Sequence, residues 1–468
     1  MFHSKKGEIM NKTIRFSTLV SSLLVSSALY GADVTIDGYR GGELELQFKA
    51  MRVLSDYNNG FAPSNGTGYL IKLKYETPEL FTDGLKVGVG MYANGDGGYT
   101  EWDERAAPEY NKGAYGMVVA PDGASKALTG ELYLDYTNDM LHAKFGRQVL
   151  KTPLTVIKTS LMPNFYEAYV VESKNSKEFR VSVGHINKIS FGSRAMADWG
   201  VIGEKTGTAG VGLFGSGVLF EQAGGTLQQA KFYNIGTAAG KEPTNGRSFI
   251  GLHYSGIPKV SIDAWLYHAY DIVDDFYSEI SYTQALNKKL KLKLSAQYLA
   301  QRDTGDALAG EKDFNLYGLK AFVGNKKLGA YIAYNKSGTK DTDPTNLEGQ
   351  FFNAWGADPG YTSSIFSRNE YREGVSAYKV GAHYVPYKGV KLMMSYAHYG
   401  QSLTSAGNSS NPDFVSQNSA YEVDTVLVYK PSKHWMFKLF NARRLSEYNG
   451  VVFERRMNQY RVIASYTF

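Results

Sequence analysis

The sequence predicts an all-β fold: a closed, antiparallel transmembrane β-barrel of about 18 strands, with short periplasmic turns and long extracellular loops. Three observations predict it. Apolar and polar residues alternate with a period of two almost without interruption after residue 33. The connections between these stretches are alternately short and long. The last ten residues, QYRVIASYTF, form one more alternating strand that ends on the aromatic Phe468.

Composition narrows the field first. The 468 residues include no Cys, which excludes disulfides, thiolate zinc sites and a cysteine nucleophile. Mean hydropathy is −0.32, and the one long apolar stretch lies at the N-terminus, so a polytopic helical membrane protein is excluded. In that stretch Lys12 and Arg15 precede an apolar core, Leu19 to Leu29, and small residues Gly31 and Ala32 follow. This is the layout of a secretory signal, too short for the ~20 residues of a span. Residues 1–31 are therefore expected to be removed, leaving 32–468 as a single barrel domain. The mature chain carries 47 basic and 44 acidic residues, a net charge of +3. That is too small and too evenly spread to attract nucleic acid. The 35 Tyr suit an apolar face that ends in water.

The strands follow in order as 34–48, 67–76, 85–93, 131–137, 140–148, 168–173, 179–188, 248–255, 260–270, 275–284, 290–302, 314–323, 328–336, 377–385, 390–399, 419–429, 434–445 and 459–468. In 69–75 Tyr69, Ile71, Leu73 and Tyr75 share one face and Lys72 and Lys74 the other. In 290–295 Leu290, Leu292 and Leu294 oppose Lys291, Lys293 and Ser295. Such alternation means one apolar and one polar face. The long loops are 51–66, 94–130, 149–167, 189–247, 303–313, 337–376, 400–418 and 446–458. A further strand-like stretch, 228–236, would spoil the alternation, so it is assigned to the 189–247 loop as a hairpin with 205–217. An even count closes the sheet, as hydrocarbon requires, because an open edge leaves amides unpaired.

Parity then assigns side chains. The polar face, expected to line a water-filled lumen, carries Lys72, Lys74, Lys144, Lys291, Lys293, Lys320, Lys379 and Arg461. On the same face lie Glu43, Glu45, Asp135, Glu279, Glu422 and Asp424. Opposed charge rows across a pore set up a transverse field that sorts hydrated solutes. Phe468 is expected to close the last strand and to mark it for assembly. Carboxylates cluster at Asp271/Asp274/Asp275, Asp303/Asp306/Asp313 and Asp341/Asp343, but without an EF-hand spacing, and the His residues are scattered. Neither metal nor cofactor is expected. The one nucleophile candidate, GSG at 215–217, lacks the G-x-S-x-G spacing, so no enzyme is expected.

Segment 144–175, KFGRQVLKTPLTVIKTSLMPNFYEAYVVESKN, resembles the OprD-type family of outer-membrane porins. The resemblance rests on Gly146, Arg147, Gln148, Leu150, Thr152 and Pro153, then Pro163, Tyr166 and Glu167, then Glu172 to Lys174. GHINKI (184–189), YDIVDD (270–275) and DTGDALAG (303–310) follow in the expected order, and 351–384 resembles related Opr-type porins. The resemblance implies an eighteen-stranded pore narrowed by the inward-folded loop 149–167. That loop is apolar (Leu150, Leu154, Val156, Ile157, Leu161, Met162 and Phe165), which suits burial against a lumen wall. Lys158, Thr159 and Ser160 are then expected at the constriction. The family's Ser-Asp-Ser-Arg stretch is replaced here by 156–160, VIKTS, so basic-amino-acid or carboxylate specificity is not carried over.

The expected function is a porin of the bacterial outer membrane, passing small hydrophilic solutes and ions passively, as a monomer or homotrimer amid outer-membrane lipid and lipopolysaccharide. The alternatives are a substrate-specific channel with a saturable site and a surface adhesion or structural barrel.

Overall fold

The computed structural model describes residues 35–36, 39–57, 64–95, 97, 126–156, 161–174, 176–192, 231–338, 348–355, 359–402, 417–448 and 454–468. The expected signal peptide and segment 205–217 lie outside these residues.

Eighteen antiparallel strands close into one barrel. They are β1 (Glu43–Tyr57), β2 (Ser64–Glu76), β3 (Leu85–Gly95), β4 (Lys126–Thr137), β5 (Leu141–Gln148), β6 (Phe165–Ser173), β7 (Phe179–Ser190), β8 (Arg247–Tyr254), β9 (Val260–Ala269) and β10 (Val273–Ala285). Then come β11 (Lys291–Asp303), β12 (Asp313–Gly324), β13 (Leu328–Ser337), β14 (Ser376–Tyr384), β15 (Val390–Tyr399), β16 (Gln417–Tyr429), β17 (Trp435–Tyr448) and β18 (Glu454–Thr467). Each pairs with its neighbour in sequence, and β18 pairs with β1 from Met457↔Tyr57 to Thr467↔Gln47. The Phe468 amide extends this seam, donating to the Leu46 carbonyl at 2.9 Å.

Each strand read from the sequence has its counterpart, but the first is displaced from 34–48 to Glu43–Tyr57. The cause is Gly41–Gly42, with φ of +94° and +136°, a region that favours glycine. A Cβ on Gly42 would meet the Tyr75 ring and the Glu76 carbonyl. Upstream, Thr35–Ile36 and Tyr39–Arg40 form a separate two-residue ladder. The 228–236 stretch also differs: Tyr233–Asn234 extend the edge of β7, against Ile189 and Lys188, and a short helix, α1 (Ile235–Ala238), follows.

The short turns hold themselves with side chains. Asn138, Asn287 and Asn325 each accept two backbone amides of their own turn, and Ser176 and Ser432 do the same. Asn and Ser prevail there because their oxygens replace the missing ladder partners. Outside, the wall is apolar: Leu73, Leu134, Val183, Leu266, Ile280, Leu294, Leu319, Ile332, Met394 and Val462 are exposed. Tyr282, Tyr384, Tyr387, Tyr429 and Trp435 stand toward the short-turn end, as an aromatic girdle does. At the opposite end one outward row crosses six strands in register: His185, Ser248, His268, Asp274, Arg302 and Asp313. It marks the upper limit of the apolar band on that wall.

Candidate functional site

The barrel interior is not an open tube. The loop after β5 turns inward, and its described ends are held on nearly opposite walls. Leu150 and Leu154 pack with Phe249, Tyr267, Tyr277 and Leu299 of β8–β11. The Leu154 amide donates to the Tyr267 hydroxyl at 3.4 Å, and the Tyr166 hydroxyl donates to the Thr155 carbonyl at 3.1 Å. At the other end Leu161 and Met162 pack with Met51, Val53, Tyr92, Phe440 and Ile463 of β1, β3, β17 and β18. Lys49 of β1 fastens that end by donating to the Leu161 carbonyl at 3.0 Å. In an eighteen-strand ring, β1 and β9 are eight strands apart. Lys158, Thr159 and Ser160 lie outside the described residues.

A second loop also turns inward, within the stretch 337–376 expected as a long extracellular loop. Residues 348–355 and 359–375, between β13 and β14, line the interior, with Phe366, Glu370, Tyr371 and Glu373 wholly buried. The amides of Phe366 and Ser367 donate to the Glu422 carboxylate at 2.9 and 2.7 Å, and that of Ile365 to Asp424 at 3.3 Å. Lys379 donates to the Ser363 carbonyl at 2.8 Å, and Tyr399 to those of Thr362 and Ser367. The Arg461 guanidinium lies 4.9 Å from the Phe366 ring centre. The helix α1 joins the same layer, since the Trp355 indole donates to the Ile235 carbonyl at 3.0 Å. The two inward loops touch: the Asn164 side-chain amide donates to the Trp355 carbonyl at 3.2 Å.

The charges assigned by parity all face inward, but they divide by height. Lys379, Arg461, Glu422 and Asp424, in the upper half, are buried beneath 362–368 and hold that loop rather than water. Arg247 and Asp275 behave alike, paired at 2.6 Å under the first loop, with Arg247 also stacked on Tyr267 and Trp355. In the lower half the charges meet water and one another. Lys72 pairs with Glu45 at 2.6 Å, and Lys74 with Glu131 at 3.0 Å. Lys144 lies 3.6 Å from Asp135, which also meets His142 at 3.0 Å. Lys144 additionally stacks over Tyr133, at 3.5 Å from the ring centre. Glu43 stands opposite Glu76 near the lower rim, and Lys291 at the foot of β11 is exposed.

A cavity of about 210 Å³ opens on the β10–β13 wall, lined by Glu279, Lys293, Lys320, Phe322, Tyr331 and Tyr361. Lys293 approaches Glu279 at 3.8 Å, and Lys320 lies over Tyr331 and Tyr361 at 4.7 and 5.6 Å. Burial and the nearby Glu279 carboxylate push the Tyr361 hydroxyl well above its ordinary pKa, so it stays a hydrogen-bond donor. Parity found Glu279, Lys293 and Lys320. It missed Tyr361, which arrives from the second loop, and Glu131, whose carboxylate takes the Tyr92 hydroxyl at 2.5 Å.

A family model described as "outer membrane porin, OprD family" matches residues 138–468. No curated protein sequence matches the chain. Among solved structures, OccK9 (OpdG) of Pseudomonas aeruginosa superposes with a TM-score of 0.66 at 14% identity, over 91% of this chain and 98% of that one. OpdK of the same organism, crystallised with vanillate, gives 0.64 at 12% identity, over 91% and 98%. OpdL gives 0.61 at 14%, again over 91% and 98%. Likeness at this identity speaks for the fold.

Proposed function

The chain belongs to the OprD family of outer-membrane porins and is a channel of the bacterial outer membrane; from that premise we propose passive diffusion of small hydrophilic solutes and ions through a bore narrowed by two inward loops. The observation that carries this is the Asn164–Trp355 contact, which joins the loop after β5 to the loop before β14 inside the barrel. A water-filled eighteen-strand barrel is wide, so what passes is decided where the loops leave space. Below them the wall alternates Lys72, Lys74 and Lys144 with Glu45, Glu131 and Asp135, which orients a hydrated solute without holding it. No step needs an energy source. In a planar bilayer the purified protein should give steady, ohmic single-channel currents that rise when Asn164 is changed to Ala. A barrel that conducts nothing, or whose conductance ignores both loops, would overturn the reading.

The β10–β13 cavity favours a second reading, a channel with a saturable site. Lys293 and Lys320 supply positive charge, and Phe322, Tyr331 and Tyr361 supply ring faces, a combination suited to a small planar anion. The neighbour OpdK was crystallised with vanillate, an anion of that kind. Current carried by vanillate that saturates with concentration, and loses saturation in Lys320→Met, would select this reading over simple diffusion.

A further inference from the structure

We propose that the outer wall of β16–β18 and β1, just above the apolar band, binds the phosphate of an outer-leaflet glycolipid through Arg443 and Arg456. Alternation places both arginines outside, since their neighbours Arg444 and Met457 are buried in the interior. Pairing sets them on two levels. Asp56, Asn458 and Arg443 lie side by side on β1, β18 and β17, and Arg456, Leu445 and Tyr421 lie one level higher on β18, β17 and β16. Arg443 and Arg456 are thus diagonal neighbours across one strand pair, about 7–8 Å apart at this spacing. Both are exposed. The groove that these residues line has a volume of about 560 Å³.

Two guanidinium forks at this distance suit a tetrahedral anion, which takes paired hydrogen bonds from each. Asp56 lines the same groove, diagonal to Arg456 and two strands from Arg443, so the anion sits on the Arg443 side with Arg456 at its flank. The source of the anion follows from height. Directly below are Leu54, Tyr460 and Asn441, which donates to Asn458, and one level further down the exposed, apolar Leu439 and Val462. A ligand with acyl chains against that surface places its headgroup at Arg443.

The test titrates the full barrel, in detergent, with diphosphorylated lipid A, with the same lipid stripped of phosphate, and with inorganic phosphate, reading bound ligand by native mass spectrometry. Diphosphorylated lipid A should bind best, and Arg443→Gln with Arg456→Gln should weaken it about tenfold, the loss of one good charged contact. Arg302→Gln on the far wall should leave binding unchanged, and Arg443→Lys should restore part of it. Heat-modifiable gel migration and unchanged single-channel conductance establish that each variant folds. Equal binding of the stripped lipid, unchanged binding by the double variant, or inorganic phosphate binding as tightly as the lipid would each overturn the proposal. So would cross-linking through position 443 that joins two copies, since the groove would then be an interface.

Discussion

Lys49 and Leu161 are 112 positions apart, and the ammonium of one donates to the carbonyl of the other at 3.0 Å inside the barrel. A lysine on the first strand thereby holds the end of a loop that leaves the fifth. The contact works only because Leu161 and Met162 are buried on the same wall, where they remove apolar surface from the lumen water.

The first prediction concerns that loop. Deleting 155–161 should raise single-channel conductance, and Lys49→Met should raise it less, because Leu161 keeps its packing. Lys158→Glu should move the reversal potential in a salt gradient toward cation preference. If neither conductance nor reversal potential responds, the loop does not set the narrowest point.

The second prediction concerns the second loop. Glu422 accepts two backbone amides of 366–367, and charged hydrogen bonds of this kind contribute about 1.5–3 kcal/mol each. Glu422→Ala should leave the barrel folded but loosen 362–368, giving noisier and larger currents. Quiet, wild-type currents would show that Lys379, Tyr399 and Arg461 suffice without it.

The third prediction separates the two faces of one strand. Leu292→Arg places a charge on the lipid side of β11 one residue from its foot, below Tyr282, where the cost falls to about 0–1 kcal/mol. Lys293→Glu, its inward neighbour, should assemble normally and change ion preference. Assembly failure in the second variant with none in the first would reverse the inside and outside of that strand.

The fourth prediction concerns the seam. Phe468 packs edge-on against Tyr466 with ring centres 4.5 Å apart, and its amide extends the pairing to β1. Removing it should lower the yield of heat-modifiable barrel while sparing the conductance of the molecules that do fold. An unchanged yield would reduce Phe468 to one more girdle aromatic.

The strands were legible because a barrel wall imposes a single rule, apolar out and polar in, at every second residue. Residues such as Leu292 and Lys293 carry that rule locally, so no distant partner is needed to read it. The start of the first strand was misplaced because 34–40 also alternates, and the break depends on the left-handed backbone of Gly41–Gly42. The inward turn of 359–375 was not legible at all. Arg368, Glu370, Arg372 and Glu373 look like a solvated loop, and only the assembled interior shows them buried. For the same reason parity located Lys379, Glu422, Asp424 and Arg461 on the inner face without revealing that a loop, rather than solute, is their neighbour.

The seam between β18 and β1 sets the order in which the molecule can be made. Gln47 donates to Thr467 across 420 positions, so the ring has no closed form until strands from both ends of the domain are present. Until then β1 and the most recently added strand each expose a row of amides able to pair with another chain. Contacts this distant in sequence form slowly, because the loop between them must first be gathered. A chain halted before β18 is therefore an open sheet with two adhesive edges.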